Sequence, residues 1–590
     1  ELWGQNSVTV ALFEWPWEDV ARECEHFLGK AGVTAVEVSP PTEHALGDGW
    51  AVRYQPVSYQ LISRSGGRDA FIDMVRRCQQ QGVSVMVDAV VNHMAAPIVY
   101  TPRKDRGKKC GQPKNTSKGS TQTCQGWNGT RYENRHFPHN RRMDSFQRKH
   151  FHHYPGNLES NCGWPPFSNN IHLCDLQGLP DLNTEELEVQ KMVLSYLFEL
   201  YEIGVTMLRV DAAMMIYPES LAKLLQPIPW DYVVQEYYPA QLSSKQMVNK
   251  VTTVGAATEF NFGWRLFASL QDSYYAGAWQ NRSYAVEELL HLDEKSGWHC
   301  VYSVCQSSLP TGREMLFVDN HDSQRERWKP PEPEESKREP ANATCVWNGI
   351  DVHGCRLNYK SGHRYNLAQR YMLVWPYGDA VWLTSSFAWT EFDQGPPGIR
   401  NDSLRDFTPP GIRCRPTPTT SPVTEEYDTD ENRWVCEHRW RGVMALVRFR
   451  RLVGKAHPVH TTWHLMDGFI GFCLGEVAFV AISRGYDQAT GMGSNESLNL
   501  TGRQTPLREG LYCNLADELG VIPEPHDWEH KCTGREPIGV DVNGTVVNGM
   551  LRSGEMVVLH ANYTSWAASA PEPTPAQDVA GVSISEMFVM

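Results

Sequence analysis

The order of hydrophobic patterns along the chain constrains its fold more than any other feature. Apolar runs typical of buried strands alternate with amphipathic segments typical of helices: strand Val8–Phe13, helix Trp17–Gly29, strand Val33–Val38, helix Asp69–Gln81 and strand Val83–Val91. The alternation returns with helix Leu187–Ile203, strand Thr206–Val210, helix Ser220–Leu225, strand Tyr232–Gln235, helix Ala285–Leu292, strand Met315–Val318, helix Tyr365–Trp375 and strand Val381–Leu383. This pattern predicts a parallel sheet with crossover helices, closed as a (β/α)8 TIM barrel.

Two parts of the chain depart from this alternation. Residues 94–181 are polar, basic and rich in Gly, Asn, His and Pro, which predicts an irregular domain inserted into the barrel. After about residue 456 short strand-like runs separated by turn residues predict an all-β terminal domain. The predicted units are barrel residues 1–93, inserted domain B at 94–181, barrel residues 182–455 with long loops at 328–362 and 394–432, a β domain at 456–563, and a Pro/Ala-rich tail at 564–590.

The cysteines indicate an oxidising compartment. There are 15 of them and no CxxC pair, which favours disulfides over a metal site or a reduced cytosolic chain. Eight lie in close pairs, which are Cys162 with Cys174, Cys345 with Cys355, Cys414 with Cys436, and Cys513 with Cys532. The odd total leaves at least one free thiol, and we assign it to Cys473 within an apolar run.

Glycosylation sequons and net charge also favour an extracytoplasmic location. Asn-x-Ser/Thr sequons stand at Asn115, Asn128, Asn281, Asn342, Asn401, Asn495, Asn499, Asn543 and Asn562. A net charge of −14 argues against nucleic acid and anionic membranes as partners, and no run approaches the ~20 apolar residues of a membrane span. We therefore expect a secreted or lumenal glycoprotein without a membrane span, from which any signal peptide has been removed before Glu1.

Acidic or histidine side chains stand at the ends of four predicted strands. The segments are Val87–His93, Leu208–Asp211, Val233–Glu236 and Phe317–Asp322. Catalytic groups of a β/α barrel come from the carboxyl ends of its strands. One acid there is often a helix cap, but four segments in order, each ending an apolar strand, predict a common active site.

These four segments resemble the ordered signature of the α-amylase family of glycoside hydrolases, in its animal-type branch. Five stretches carry the resemblance, namely Leu12-Phe13-Glu14-Trp15, Val38-Ser39-Pro40-Pro41, Arg53-Tyr54-Gln55-Pro56-Val57-Ser58-Tyr59, Phe317–Asp322 and Trp434-Val435-Cys436-Glu437-His438-Arg439-Trp440. The similarity runs from about residue 8 to residue 562, with insertions. It implies a barrel with an inserted domain B and a C-terminal Greek-key sandwich, acting on α-1,4-glucans.

The resemblance also implies roles for the acids. Asp211 matches the nucleophile, Glu236 the acid/base, and Asp322 the third carboxylate that stabilises the transition state. Cleavage with retention requires the first two groups to lie only ~5 Å apart. Arg209 stands two residues before Asp211, on the same face of the strand, and should help keep Asp211 ionised.

Further residues match sugar and calcium ligands of the family. The predicted sugar-binding residues are Trp50, Tyr54, His93, Arg209, Met214, Met215 and His321. A calcium ion would take the side chains of Asn92 and Asp181 and the backbone carbonyls of His172 and Met215. Such an ion would tie domain B to the barrel beside the active site.

The sequence departs from the family around this site. Met214-Met215 replaces a Lys-His pair, which predicts altered binding of the leaving-group side. Ser323–Trp328 replaces a glycine-rich loop, and Ala51 replaces a second tryptophan. Arg209 and Asn320 match two chloride ligands, but Val381 stands near the place of the third, an arginine, so we expect no chloride dependence.

Three functions remain open at this stage. The first is endo-hydrolysis of α-1,4-glucans with retention, and the second is glycan binding or scaffolding without turnover. The third keeps the site but yields other products, as a transglycosylase or an exo-acting glucosidase, because water and sugar compete for one covalent intermediate. All three carboxylates and both histidines favour the first.

Overall fold

The computed structural model describes residues 6–98, 124–138, 145–153, 161–163, 171–242, 244–271, 286–291, 299–301, 304–306, 309–310, 312–325, 327–329, 344–347, 350–353, 357–378, 380–389, 393–397, 414, 434–440, 442–453, 457–465, 468–485, 496–517, 532 and 536–562.

Eight parallel strands close into a barrel in which each strand pairs with its neighbours in chain order. They are β1 Ser7–Leu12, β2 Ala35–Val38, β3 Ser84–Ala89, β4 Met207–Val210, β5 Tyr232–Gln235, β6 Ala256–Glu259, β7 Glu314–Phe317 and β8 Ala380–Ser385. Val10 of β1 pairs with Val36 of β2 on one side and with Leu383 of β8 on the other, which closes the ring. The predicted (β/α)8 barrel is confirmed.

The sixth strand was missed by the sequence-based prediction. Strand β6 reads Ala-Ala-Thr-Glu and therefore lacks the branched apolar residues that mark the other strands. It follows Gly255, where a Cβ atom would lie only 2.8 Å from the carbonyl oxygen of Val233. Small residues thus let this segment approach β5 closely, and the same smallness removes the hydrophobic signal.

Helices cover the outside of the barrel. They are α1 Trp17–Glu23, α2 Arg68–Gln80, α3 Leu187–Ile203, α4 Pro218–Leu225, α5 Lys245–Val254, α6 Phe260–Gln271, α7 His363–Val374 and α8 Val443–Val453. Helix α1 continues through a wider turn to Ala31, which accounts for the longer predicted helix. The predicted helix Ala285–Leu292 is instead a tight 3-10 helix at Val286–His291. Among the described residues, no helix is long and apolar enough to cross a membrane.

Short strands lie in the connections between the barrel elements. They are Glu43–His44 with Pro56–Ser58, Cys124–Gln125 with Arg131–Tyr132, Asn161–Gly163 with Asp175–Leu176, His299–Val301 with Val304–Gln306, and Arg327–Lys329 with Thr344–Trp347 and Ile350–His353. The second and third pairs belong to the segment predicted as domain B.

The C-terminal region is an antiparallel sheet with two covered faces. Its strands are β9 Val459–Leu465, β10 Phe469–Leu474, β11 Ala478–Ser483 and β12 Met556–His560, in that order. Alternate side chains point to opposite faces, so Phe472 packs against Trp375 of the barrel. Phe479 joins the other core with the short strands Leu498–Asn499, Gly510–Tyr512, Ile538–Val540, Val546–Asn548 and Met550–Leu551.

The disulfides confirm most of the predicted pairing. Four bonds join pairs of described cysteines, namely Cys24–Cys78, Cys162–Cys174, Cys414–Cys436 and Cys513–Cys532. The first, which links the turn after α1 to α2, was not predicted. Cys355 of the remaining predicted pair lies outside the described residues. Cys473 is free and buried as predicted, and burial raises the pKa of its thiol to about 11.

Candidate active site

The barrel ladder fixes the backbone of two of the predicted catalytic residues. Asp211 follows β4 and donates its N–H to the Ala89 carbonyl of β3 at 3.1 Å. Glu236 follows β5 and donates to the Val210 carbonyl of β4 at 3.0 Å. Both residues therefore continue the sheet by one position, at its carboxyl end, where their side chains meet.

One guanidinium joins the carboxylates. Arg209 is 1% exposed, and its Nη1 donates to Asp88 Oδ1 at 2.6 Å and to Asp211 Oδ1 at 2.9 Å. Its Nη2 contacts Glu236 Oε1 at 2.8 Å, and the Ala212 N–H donates to Glu236 Oε2 at 2.8 Å. Asp211 and Glu236 thus share a single cation, which holds the two side chains side by side.

Burial and neighbouring charges determine how readily Asp211 and Glu236 ionise. Burial raises the pKa of both Asp211 and Glu236, neighbouring carboxylates raise it further, and Arg209 opposes them. Loss of both protons is consequently less favourable in this pair than in two isolated carboxyl groups. Burial also disfavours ionisation of Asp322, but His321, Arg325 and Arg209 outweigh it and lower the pKa of that side chain.

Aromatic side chains line one side of the carboxylates. Tyr54 donates its hydroxyl to Asp88 Oδ2 at 2.7 Å, and the His93 ring bonds the Tyr54 carbonyl at 2.9 Å. The His321 ring stacks on Phe13 at 4.5 Å and on Tyr54 at 5.2 Å between centroids. Burial lowers the pKa of His93 to about 4 and that of His321 to about 3, so both rings are neutral near pH 7.

Two further side chains in the site were missed from sequence. Glu37 of β2 is 5% exposed and lies near Asp88, Arg209 and Glu236, and its Oε2 has no hydrogen-bond partner within the described part of the chain. It lines a cavity of about 10 Å³ together with Tyr54 and His321, which is large enough for about one water molecule. Its position inside an apolar strand was the available signal.

The second is Arg325, three residues after Asp322 in the 3-10 turn Ser323–Arg325. Its guanidinium is ion-paired with Asp322 Oδ1 and lies 3.7 Å from the ring centroid of Trp50. Arg325 therefore contacts both Trp50, the predicted sugar platform, and Asp322, the third carboxylate.

Comparison with known proteins identifies the family. Residues 25–327, just over half of the chain, match the family model described as alpha amylase, catalytic domain. The chain belongs to the α-amylase family of glycoside hydrolases.

Its relatives cover nearly the whole chain. An alpha-amylase of Tenebrio molitor is 30% identical over 585 residues, which cover 95% of this chain and 98% of the relative. An alpha-amylase-related protein of Drosophila atripex is 28% identical over 569 residues, covering 92% and 90%. The crystal structure of alpha-amylase I from Eisenia fetida has a TM-score of 0.69 and 24% identity over 94% of this chain and 97% of that chain. At this identity the structural likeness shows the fold alone.

The two methionines that replace a family Lys-His pair are packed inside this α-amylase fold. Met214 and Met215 lie in the turn Ala213–Met215 after β4, and each is 1% exposed. The Met214 N–H donates to the Glu236 carbonyl at 3.2 Å. Their side chains thus support the catalytic segment from within, whereas the sequence-based prediction placed them against sugar.

The residues predicted to bind calcium fit a cation. Asp181 is 1% exposed, and its Oδ1 has no hydrogen-bond partner among the described residues. The isolated bridge between His93 and Asp181 places Asn92 beside it, and the His172 ring bonds the backbone of Met215. A carboxylate, an amide and two carbonyls form an oxygen ligand set of the kind that calcium prefers. No cluster of three His, Cys, Asp or Glu side chains suited to a metal occurs among the described residues.

The residues predicted to bind chloride do not fit an anion. Arg209 Nε is buried without an acceptor among the described residues, but the same guanidinium already pairs with carboxylates. Asn320 Oδ1 accepts from the Ser323 N–H at 3.0 Å, and Val381 is fully buried and apolar. A further anion here would meet net negative charge.

Proposed function

We propose that this α-amylase-family enzyme hydrolyses α-1,4-glucosidic bonds of glucans with retention of anomeric configuration. The observation that carries the proposal is the shared contact of Asp211 and Glu236 with Arg209. A retaining glycosidase needs a nucleophile and a proton donor close together, with one proton between them. The raised pKa of Glu236 suits the proton donor, and Arg209 opposes the burial that also raises the pKa of Asp211.

The proposed reaction has two steps. Asp211 attacks the anomeric carbon while Glu236 gives its proton to the leaving glycosidic oxygen, which leaves a covalent glycosyl–Asp211 ester. Glu236, now a carboxylate, then takes a proton from water, and that water attacks the anomeric carbon and releases Asp211. Asp322 holds sugar hydroxyls and stabilises positive charge at the sugar ring, as its lowered pKa allows.

The surrounding residues position this chemistry. Neutral His321 stacks on Tyr54, which is held by Asp88, and would contact the same sugar. The His93 ring bonds the Tyr54 carbonyl and so positions Tyr54. Calcium would be held by Asn92, Asp181 and the carbonyls of His172 and Met215. The ion would supply no chemistry to the bond, but it would join the segment predicted as domain B to the turn that follows Asp211.

We also propose that the protein is a secreted glycoprotein. Four sequon asparagines within the described residues, Asn128, Asn499, Asn543 and Asn562, are exposed and thus accessible to a glycosyltransferase. The disulfides support the same oxidising compartment. Asn115, Asn281, Asn342, Asn401 and Asn495 lie outside the described residues.

The test is a comparison of product formation by wild type and Glu236→Gln. Each protein is incubated with long amylose and with a short maltooligosaccharide, with calcium present, and the products are separated by length. Rapid shortening that Glu236→Gln abolishes supports endo-hydrolysis, and Glu219→Gln, at an exposed glutamate, is the matched control. Products longer than the substrate would instead indicate a transglycosylase.

A second candidate function is glycan binding without turnover. The contact of Arg325 with Asp322 favours it, since a carboxylate that is paired with the chain's own arginine is less available to stabilise a transition state. Binding of maltooligosaccharide with no product from either wild type or Glu236→Gln would select this candidate.

A further inference from the structure

Arg325 contacts both the predicted sugar platform Trp50 and the third carboxylate Asp322, although it is not among the expected catalytic groups. It is 5% exposed, and its guanidinium lies 3.7 Å from the centroid of the Trp50 ring and 6.0 Å from that of Trp389. Trp50 follows β2, and Trp389 follows β8. The side chain therefore spans loops from different strands at the carboxyl end of the barrel.

The covered face of Trp50 is the face that turns towards the carboxylates, because the same guanidinium pairs with Asp322 Oδ1. A planar cation at this distance from an indole is at stacking distance. A glucose ring cannot occupy that face at the same time. The pair uses one oxygen of Asp322, so its second oxygen remains available to a sugar hydroxyl.

The backbone holds Arg325 in this place. Asn320 Oδ1 accepts from the Ser323 N–H at 3.0 Å, and the Gln324 N–H donates to the Asn320 carbonyl at 3.0 Å. Gln324 also donates its side-chain amide to buried Glu437 at 2.7 Å. These bonds fix the backbone of the turn from which the Arg325 side chain extends.

We propose that Arg325 is a specificity-determining residue that closes the Trp50 subsite against long α-glucans. The inference rests on the proposed hydrolytic function and deepens it by naming the preferred substrate class. A long chain must displace the guanidinium to stack on Trp50, whereas a short oligosaccharide binds at the carboxylates without that subsite. The enzyme accordingly favours short maltooligosaccharides and chain ends.

The test compares kcat/KM for maltoheptaose and maltotriose in wild type, Arg325→Ala and Arg325→Lys. We expect Arg325→Ala to raise the ratio of the two values about tenfold, the scale of one lost cation–π contact and ion pair. Arg325→Lys, which keeps the charge but not the planar stack, should raise it less. Arg131→Ala, at an exposed arginine, is the control. An unchanged ratio, or equal losses on both substrates, would overturn the proposal.

A binding measurement separates this inference from the proposed function. Calorimetric titration with maltoheptaose in the Glu236→Gln background requires no turnover. Arg325→Ala added to that background should tighten maltoheptaose binding about tenfold more than maltotriose binding. Equal changes for both sugars would contradict the closed subsite even if the wild type proves active. If the wild type hydrolyses no glucan, only the proposed function fails.

Discussion

Arg209 carries the electrostatics of the site. A single buried guanidinium contacts Asp88, Asp211 and Glu236, so it compensates buried negative charge on all three side chains. Planar, forked donors allow arginine to serve several acceptors at once, and a lysine ammonium cannot match this geometry.

Replacing Arg209 should therefore damage both stability and turnover. Removing one partner of a buried ion pair costs about 3–5 kcal/mol, because the remaining charges stay buried without compensation. We expect Arg209→Gln to lower the free energy of unfolding by that amount and to abolish measurable kcat, and Arg209→Lys to do less of both. Chemical denaturation and initial rates measure these effects. If Arg209→Gln had the same free energy of unfolding as the wild type, the buried carboxylates would not need this cation for stability.

Glu37 gives a prediction about pH. Burial, followed by Asp88, raises the pKa of Glu37 well above its ordinary value of 4.5. The unfolded chain therefore loses this proton at a lower pH than the folded chain, and the group destabilises the fold increasingly as pH rises above 4.5. Glu37→Gln should melt like the wild type near pH 4 and at a higher temperature near pH 8. A difference in melting temperature between Glu37→Gln and the wild type that does not change with pH would contradict the raised pKa of Glu37.

Some residues of the site could be predicted from the sequence, and others could not. The acids at strand ends could be predicted because a barrel brings the carboxyl ends of its strands together, independently of the loop conformations. The contact of Arg325 with Trp50 depends on a 3-10 turn and on a loop 275 positions away in the chain, which no local pattern records. Met214 and Met215 matched sugar-binding positions of the family, yet apolar side chains at those positions pack inward.

At the scale of elements, hydrophobic pattern predicted strands well where they are branched and apolar. Helix Leu187–Ile203 and strand Tyr232–Gln235 were predicted with the bounds that the structure has. Strand β6 was missed because close packing at Gly255 demands small residues. Helices α5, α6 and α8 were also missed, and the α1–α2 disulfide joins cysteines 54 positions apart, too distant for a pairing rule based on proximity.

Glu23 ties α1 to the late turn Glu437–Arg439. It bonds His438 at 2.8 Å and is ion-paired with Arg439. Burial disfavours its charge, but these two partners outweigh burial and lower the pKa of Glu23 from 4.5 to about 2.

A lowered pKa stabilises the fold above the unfolded value and loses its effect as pH falls from 4.5 towards 2. We expect Glu23→Gln to lower the free energy of unfolding by about 3 kcal/mol at pH 7 and to make little difference below pH 2. Urea denaturation at both pH values measures this. A loss of equal size at both would assign the effect to packing instead.

At the scale of the molecule, calcium should join the barrel to the segment predicted as domain B. A ligand that binds only the folded state raises the melting temperature with its concentration. We expect calcium to raise Tm, a chelator to reverse this, and Asp181→Asn to remove the response. Asp69→Asn, at an exposed aspartate, should respond as the wild type does. A Tm that is independent of calcium in the wild type would exclude the site.

The proposed function requires Asp211 and Glu236 to act as a retaining pair on α-glucans. The most direct test is NMR observation of the anomeric proton of the product that maltoheptaose cleavage first releases, before mutarotation. A retaining mechanism releases the α-anomer, and its signal should be absent in Asp211→Asn. Initial release of the β-anomer, or turnover that survives Asp211→Asn, would contradict it.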